Sequence, residues 1–220
     1  MRYIAAVMAT GLAFTLLTAM AEPVSKPGIV PTSWELEFEY QTPQPITIQM
    51  PGCKEKQTFW YMLYKITNRS GADRIFVPGF CLYTDSGQVT RSGERIPHAV
   101  FLAIKKRHNN PLLVDMASIT GTLLQGADNA KDGVAIWSDF DHKARGFDVF
   151  IAGLSGERAK IKLPKPIVET VTDENGKEKK VTKTEVTLSK TLYLRYALAG
   201  EAAARSADTP KFLKEQWVMR

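Results

Sequence analysis

With 220 residues, of which 44% are hydrophobic and 24% charged, the chain has the composition of a globular protein large enough to bury a core, and wholesale disorder is excluded. Its net charge of +6 favours weak attraction to anionic partners such as envelope polymers. The basic residues are dispersed among acids, with Lys105-Lys106-Arg107 as the tight cluster, which argues against nucleic acid as a partner.

Residues 1–21 have the layout of a signal peptide. Arg2 supplies the positive start, an apolar run extends from Ile4 to Leu17, and Ala19-Met20-Ala21 places small residues where a signal peptidase reads. The run is short for a bilayer span, so cleavage after Ala21 is expected, leaving Glu22 first. The reading is of an exported chain, periplasmic or extracellular, with no transmembrane segment after cleavage. Residues 22–33 then form a flexible N-terminal segment.

The two cysteines, Cys53 and Cys81, reach an oxidising compartment on this reading. Cys53 lies in a Pro-Gly loop and Cys81 in a strand. A disulfide needs their Cα atoms within about 7 Å, so a bridge and two separate thiols both stay open.

From Trp34 to Tyr40, large apolar residues alternate with Glu35, Glu37 and Glu39, the signature of a strand with one buried and one wet face. A second strand is expected from Ile46 to Met50, isolated by Pro45 and Pro51-Gly52. Thr58 to Thr67, TFWYMLYKIT, has the β-formers of a strand near the middle of a sheet. Its alternation sends Phe59 and Tyr61 to one side and Trp60 and Tyr64 to the other. One set enters the core; the other meets a covering element or forms a stacking surface, which makes Trp60 and Tyr64 candidate partner-binding residues. Asn68 to Asp73 supplies a turn, and its Asn68-Arg69-Ser70 glycosylation pattern is accounted for by turn chemistry. Strands follow at Arg74 to Pro78 and Phe80 to Thr84, with a kink or bulge expected at Pro78-Gly79.

Residues 93–132 break the strand rhythm. His98 to Arg107 has helical composition with a positive end, stopped by Asn109-Asn110-Pro111. That end, Lys105, Lys106, Arg107 and His108, is a candidate site for an anionic envelope polymer or an acidic protein. Strands resume at Val134 to Trp137 and Phe147 to Ala152. Ile167 to Thr172 and Val181 to Leu188 flank Asn175-Gly176, a strong hairpin signal, so an extra hairpin at 167–188 is expected to protrude. Thr191 to Tyr196 closes the β series and the body, residues 34–198. The extension 199–220 carries a short helix at Glu201 to Arg205 and an apolar end, Trp217 to Met219, that docks on the body.

The fold expected is mainly β: an immunoglobulin-like antiparallel β-sandwich with a helical insertion and an extra β-hairpin. Ile66-Thr67-Asn68 with Ser70-Gly71, then Leu82-Tyr83-Thr84-Asp85-Ser86-Gly87, then Gly133-Val134-Ala135-Ile136-Trp137, resembles the telokin-like, immunoglobulin-type domains of many exported bacterial proteins. The resemblance covers about a third of the chain and departs from the family in the 93–132 insertion and the added hairpin. Through its end, Gln216-Trp217-Val218-Met219-Arg220, the whole chain is similar to a set of uncharacterised exported bacterial proteins, from which no activity carries over.

Catalytic motifs are weak. His98, His108 and His142 are scattered, and Asp139-Phe140-Asp141-His142 lacks a second ligand pair, so neither metal nor cofactor is expected. Asp128 to Gly133 has Ala130 and Lys131 where a calcium loop wants oxygen donors. Glu157 spoils a nucleophile elbow around Ser155. The function expected is an exported non-catalytic binding or structural protein of the cell envelope, its partner an envelope polymer or another exported protein. The alternative is a secreted polysaccharide-acting hydrolase or its accessory domain, using carboxylates near Asp139 and Glu157, or the pair Glu157 and Glu169.

Overall fold

The computed structural model describes residues 33–50, 52–172, 176–198 and 209–220. The signal-peptide reading, nearly all of the segment 22–33 and the helix expected at Glu201 to Arg205 lie outside the described residues.

The architecture is mainly β, with antiparallel sheets packed face to face. One sheet is organised around β3 (Lys56–Thr67), the aromatic strand. β1 (Glu37–Tyr40) and β2 (Gln44–Gln49) lie end to end along one edge of β3, Tyr40 opposite Tyr64 and Gln44 opposite Tyr61. The offset changes by one residue across Gln41–Pro43, as a bulge requires. β8 (Lys131–Ser138) pairs residues 59–66 of the same strand, so it occupies the other edge. β3 is therefore central, as its β-branched and aromatic content implies.

The chain leaves β3 through a turn and forms β4 (Arg74–Phe76), which pairs with β7 (Gly121–Leu123) in a separate two-stranded sheet. At Val77-Pro78 it switches sheets. β5 (Gly79–Thr84), β6 (Val89–Arg91), β9 (Gly146–Ala152), β10 (Arg158–Thr172) and β11 (Glu178–Ala197) form the larger sheet in the order β10-β11-β9-β5-β6. β12 (Lys211–Met219) pairs with β11 as its sixth strand, so the apolar C-terminal segment docks by extending a sheet.

Period-2 alternation decides what fills the space between the sheets. Trp60, Met62, Tyr64 and Ile66 of β3 meet Phe80 and Leu82 of β5, Phe147, Val149 and Ile151 of β9, and Leu192, Leu194 and Tyr196 of β11 in one buried cluster. The opposite face of β3 is buried too. Helix α1 (His98–His108) lays Val100, Phe101 and Ile104 over Phe59, Tyr61 and Ile46, so the insertion adds a third layer. Its end is set by Asn109 in the left-handed region, φ 46°, with its N–H returned to the Lys106 carbonyl. A single-turn helix, α2 (Met116–Ile119), follows, its N-terminus capped by Asp115.

The β10–β11 hairpin is longer than its Asn-Gly turn signal marks. It starts at Arg158, and its described residues up to Thr187 are almost all exposed, so it projects from the sandwich as a two-stranded ribbon.

Candidate binding groove

The same alternation that fills the core also decorates the outer face of the six-stranded sheet. Alternate residues point to this face: Cys81 and Tyr83 on β5, Asp148 and Phe150 on β9, and Arg195 with the largely buried Tyr193 on β11. Register aligns them in two rows, Arg91–Cys81–Phe150–Tyr193 and Val89–Tyr83–Asp148–Arg195. Large rings thus meet on a face against which, among the described residues, no sheet packs. Tyr83 and Phe150 lie 5.2 Å apart between centroids, and Phe150 and Tyr193 5.1 Å apart.

Arg220 completes the surface. Its backbone continues the β12 ladder by exchanging hydrogen bonds with Ser189, the Ser189 N–H donating to Arg220 O at 2.7 Å and the Arg220 N–H to Ser189 O at 3.0 Å. So held, its guanidinium lies 4.5 Å from the Tyr83 ring centroid and 4.2 Å from that of Phe150, and it donates to the Tyr83 hydroxyl. A planar cation on aromatic faces is favourable and leaves its outward edge able to donate to an anion. The groove has a volume of about 520 Å³, and Cys81, Tyr83, Phe150, Arg91, Glu94 and Arg220 are among its lining residues. Arg91 and Glu94 approach at 3.6 Å with both side chains largely exposed, a pair worth little. Tyr193 donates to Asp148 at 3.0 Å, and burial followed by that bond raises its phenol pKa. The site offers a flat apolar face beside arginine donors.

The sequence-derived stacking candidates are placed elsewhere. Trp60 and Tyr64 are only 3% and 4% exposed, so the reading of them as partner-binding residues is corrected. Trp60 stacks on Phe140 and donates its indole N–H to Asp139 at 3.1 Å, and Tyr64 packs against Phe38 and Phe80. The reason is position: a central strand between a second sheet and a helix has no free face. The Tyr64 ring also occupies the space a side chain at residue 133 would fill, since a Cβ on Gly133 would come within 2.4 Å of it.

The basic end of α1 is partly engaged within the chain. Lys105 donates to the Leu113 carbonyl at 2.9 Å, and Arg107 to Pro45 O at 3.1 Å. His108 Nε2 shares a hydrogen bond with the Tyr61 hydroxyl at 2.8 Å; burial, then the Arg107 charge, lowers its pKa. Lys106 is exposed. Arg107 and His108 therefore tie the helix to β2 and β3, Lys105 ties it to Leu113, and Lys106 and Arg107 remain exposed.

Cys53 and Cys81 are separate free thiols, so the bridge weighed from the sequence is absent. Cys81 stands on the open face between Arg91 and Phe150, whereas Cys53 is exposed in the loop after β2. Among the described residues, no group of three or more His, Cys, Asp or Glu side chains gathers to hold a metal. Asp139 and Asp141 instead accept local hydrogen bonds, from Trp60 and Phe140 and from Lys143. Ser155 donates to Trp34 O at 3.2 Å and accepts the Glu157 N–H at 3.1 Å, which makes it a turn residue. Glu157 immediately precedes β10, beside Lys190, and Glu169 lies far along it opposite Val181, so nine residues of β11 at roughly 3.3 Å each set them about 30 Å apart, against the roughly 5–10 Å that paired glycosidase carboxylates need.

Sequence reasoning missed the groove because it followed aromatic density, which peaks in β3. The available signal was subtler: Phe147-Asp148-Val149-Phe150-Ile151 and Cys81-Leu82-Tyr83 carry large side chains at both parities, so one set had to face outward. Compared with known proteins, the chain matches no family model, no curated protein and no solved structure.

Proposed function

We propose that the chain is an exported, non-catalytic binding protein of the cell envelope, and that it engages an anionic envelope polymer through the groove on the outer face of the six-stranded sheet. The observation that carries this reading is the half-buried Tyr83–Phe150 pair with the Arg220 guanidinium stacked on it. A sugar ring lies well on an aromatic face, and carboxylate or phosphate groups along the polymer are matched by Arg220 and Arg91. The signal-peptide layout of residues 1–21 supports export, and the net charge of +6 supports an anionic partner. Within this reading the body is an immunoglobulin-like frame, and specificity comes from what is added to its faces.

The test is co-sedimentation of the purified protein with insoluble envelope polysaccharide. Binding should weaken as salt rises, and it should fall at least tenfold in Tyr83→Ala/Phe150→Ala and in Arg220→Ala variants that keep the wild-type melting temperature. Unchanged binding by those folded variants sinks the groove as the site. Mass spectrometry of the protein recovered outside the cytoplasm should begin at Glu22; an intact Met1 defeats the export reading.

A further inference from the structure

The ribbon formed by β10 and β11 has two edges, and they are not alike. The outer edge of β10 carries Pro164 and Pro166, which donate no hydrogen bond and interrupt any strand laid there. The other edge belongs to β11. Ser189 directs its N–H and C=O to Arg220, whereas Lys190 directs its N–H to Glu157 O on the opposite side. β11 is one continuous strand and the extra residues of the register shift between Lys162 and Ile167 lie on β10, so odd-numbered residues of β11 point their backbone groups to the side that β12 occupies. β12 covers this side only from Ser189 onward, and among the described residues no strand pairs it between Glu178 and Leu188. Lys179, Val181, Lys183, Glu185 and Thr187 thus present a row of unpaired donors and acceptors with no proline among them.

We propose that this edge pairs antiparallel with the same edge of a second copy of the chain, about a two-fold axis at Thr182, joining two six-stranded sheets into one. A two-fold contact must be self-complementary, and the charges on this strand select the register. An axis at Lys183 sets Lys183 against itself, and an axis at Val181 sets Lys179 against Lys183, both like-charge pairs. An axis at Thr182 sets Lys179 of each copy opposite Glu185 of the other, and Val181 opposite Lys183. An axis at Thr184 sets Lys183 opposite Glu185, but Lys183 is already bound to Glu169 within the ribbon, whereas neither Lys179 nor Glu185 has an ion-pair partner among the described residues. Both pairs join odd positions, whose backbone groups face the shared edge, so they are hydrogen-bonded pairs of the antiparallel ladder. The same contact brings cover to a ribbon that leaves Val181 and Val186 36% and 37% exposed, and an isolated two-stranded ribbon is otherwise marginal in water.

Sedimentation velocity on the purified chain across the micromolar range tests the proposal, with the wild type expected as a reversible dimer. Val181→Pro removes a donor from the open edge while leaving the even-numbered donors toward β10, and it should sediment as a monomer. Glu185→Lys should weaken dimerisation by roughly tenfold, since two symmetry-related attractions become repulsions. Adding Lys179→Glu should restore it, which a merely unfolded ribbon would not do. A monomeric wild type, or a dimer unmoved by Val181→Pro and Glu185→Lys, overturns the proposal.

Discussion

Lys190 Nζ lies 2.8 Å from the Glu35 carboxylate, joining β11 to the segment that enters β1 across 155 residues of sequence. The lysine is 6% exposed, lies 3.6 Å from Glu157 and 4.8 Å from the Trp217 ring centroid, and so is enclosed by two carboxylates and an aromatic face. Alternation marked Glu35 as one of three solvated glutamates, and for Glu37 and Glu39 that holds. Glu35 differs because an isolated bridge to Ser155 ties its backbone to the turn after β9, beside Lys190.

Lys190→Ala should destabilise the protein by about 3 kcal/mol, because it removes the buried cation held between the Glu35 and Glu157 carboxylates. Glu35→Gln, at a more exposed position, should cost clearly less. Urea unfolding of both variants checks the order; equal costs would mean that the lysine stem and not its charge matters.

Asn68 is fully buried, its amide donating to Ala72 O at 2.9 Å and Leu123 O at 2.8 Å, while its oxygen accepts from Ser70 and Gln125. Asn68→Ala orphans these groups and should cost about 2–3 kcal/mol by thermal or chemical denaturation. The same burial predicts that Asn68 stays unglycosylated in a glycosylating host, which intact mass would show.

The lowered pKa of His108 makes a signed prediction. The fold favours neutral imidazole, so the unfolded chain binds more protons and this contribution is lost as pH falls below the ordinary value of 6.5 through the lowered folded value. Tyr61 and Arg107 are the groups that face it. Denaturant midpoints measured from pH 7.5 down to about 5 should fall less steeply in His108→Gln than in the wild type; identical slopes would remove His108 as the cause.

Cys53 and Cys81 should both react with a thiol reagent in the denatured, unreduced protein, and in the native protein the exposed Cys53 should react before the half-buried Cys81. A chain without titratable thiols would contradict the separated cysteines.

Gly133→Ala should shift Tyr64 and cost about 1–3 kcal/mol through overpacking. Restoring space with Gly133→Ala/Tyr64→Phe would not help, because the clash includes ring carbons as well as the hydroxyl.

Elements whose signal is local were legible in the sequence. Alternation located β1, β-forming composition located β3 and β9, the run from His98 and the Asn109-Asn110-Pro111 stop located α1 to within a residue, and Asn175-Gly176 marked the hairpin whose described pairing closes at Thr172 and Glu178, because composition, capping and turn chemistry act over a few residues. Alternation also divided β3 into two faces, Phe59 and Tyr61 against Trp60 and Tyr64. It did not show that α1 covers one face and the second sheet the other, since both coverings come from segments far along the chain. The groove had the same origin. Tyr83 of β5, Phe150 of β9, Thr191 of β11 and Arg220 just past β12 meet only through long-range register, so no window of sequence contained it. Local periodicity determined which residues lie on a common face; sheet order and packing decided which of those faces stayed open to a partner.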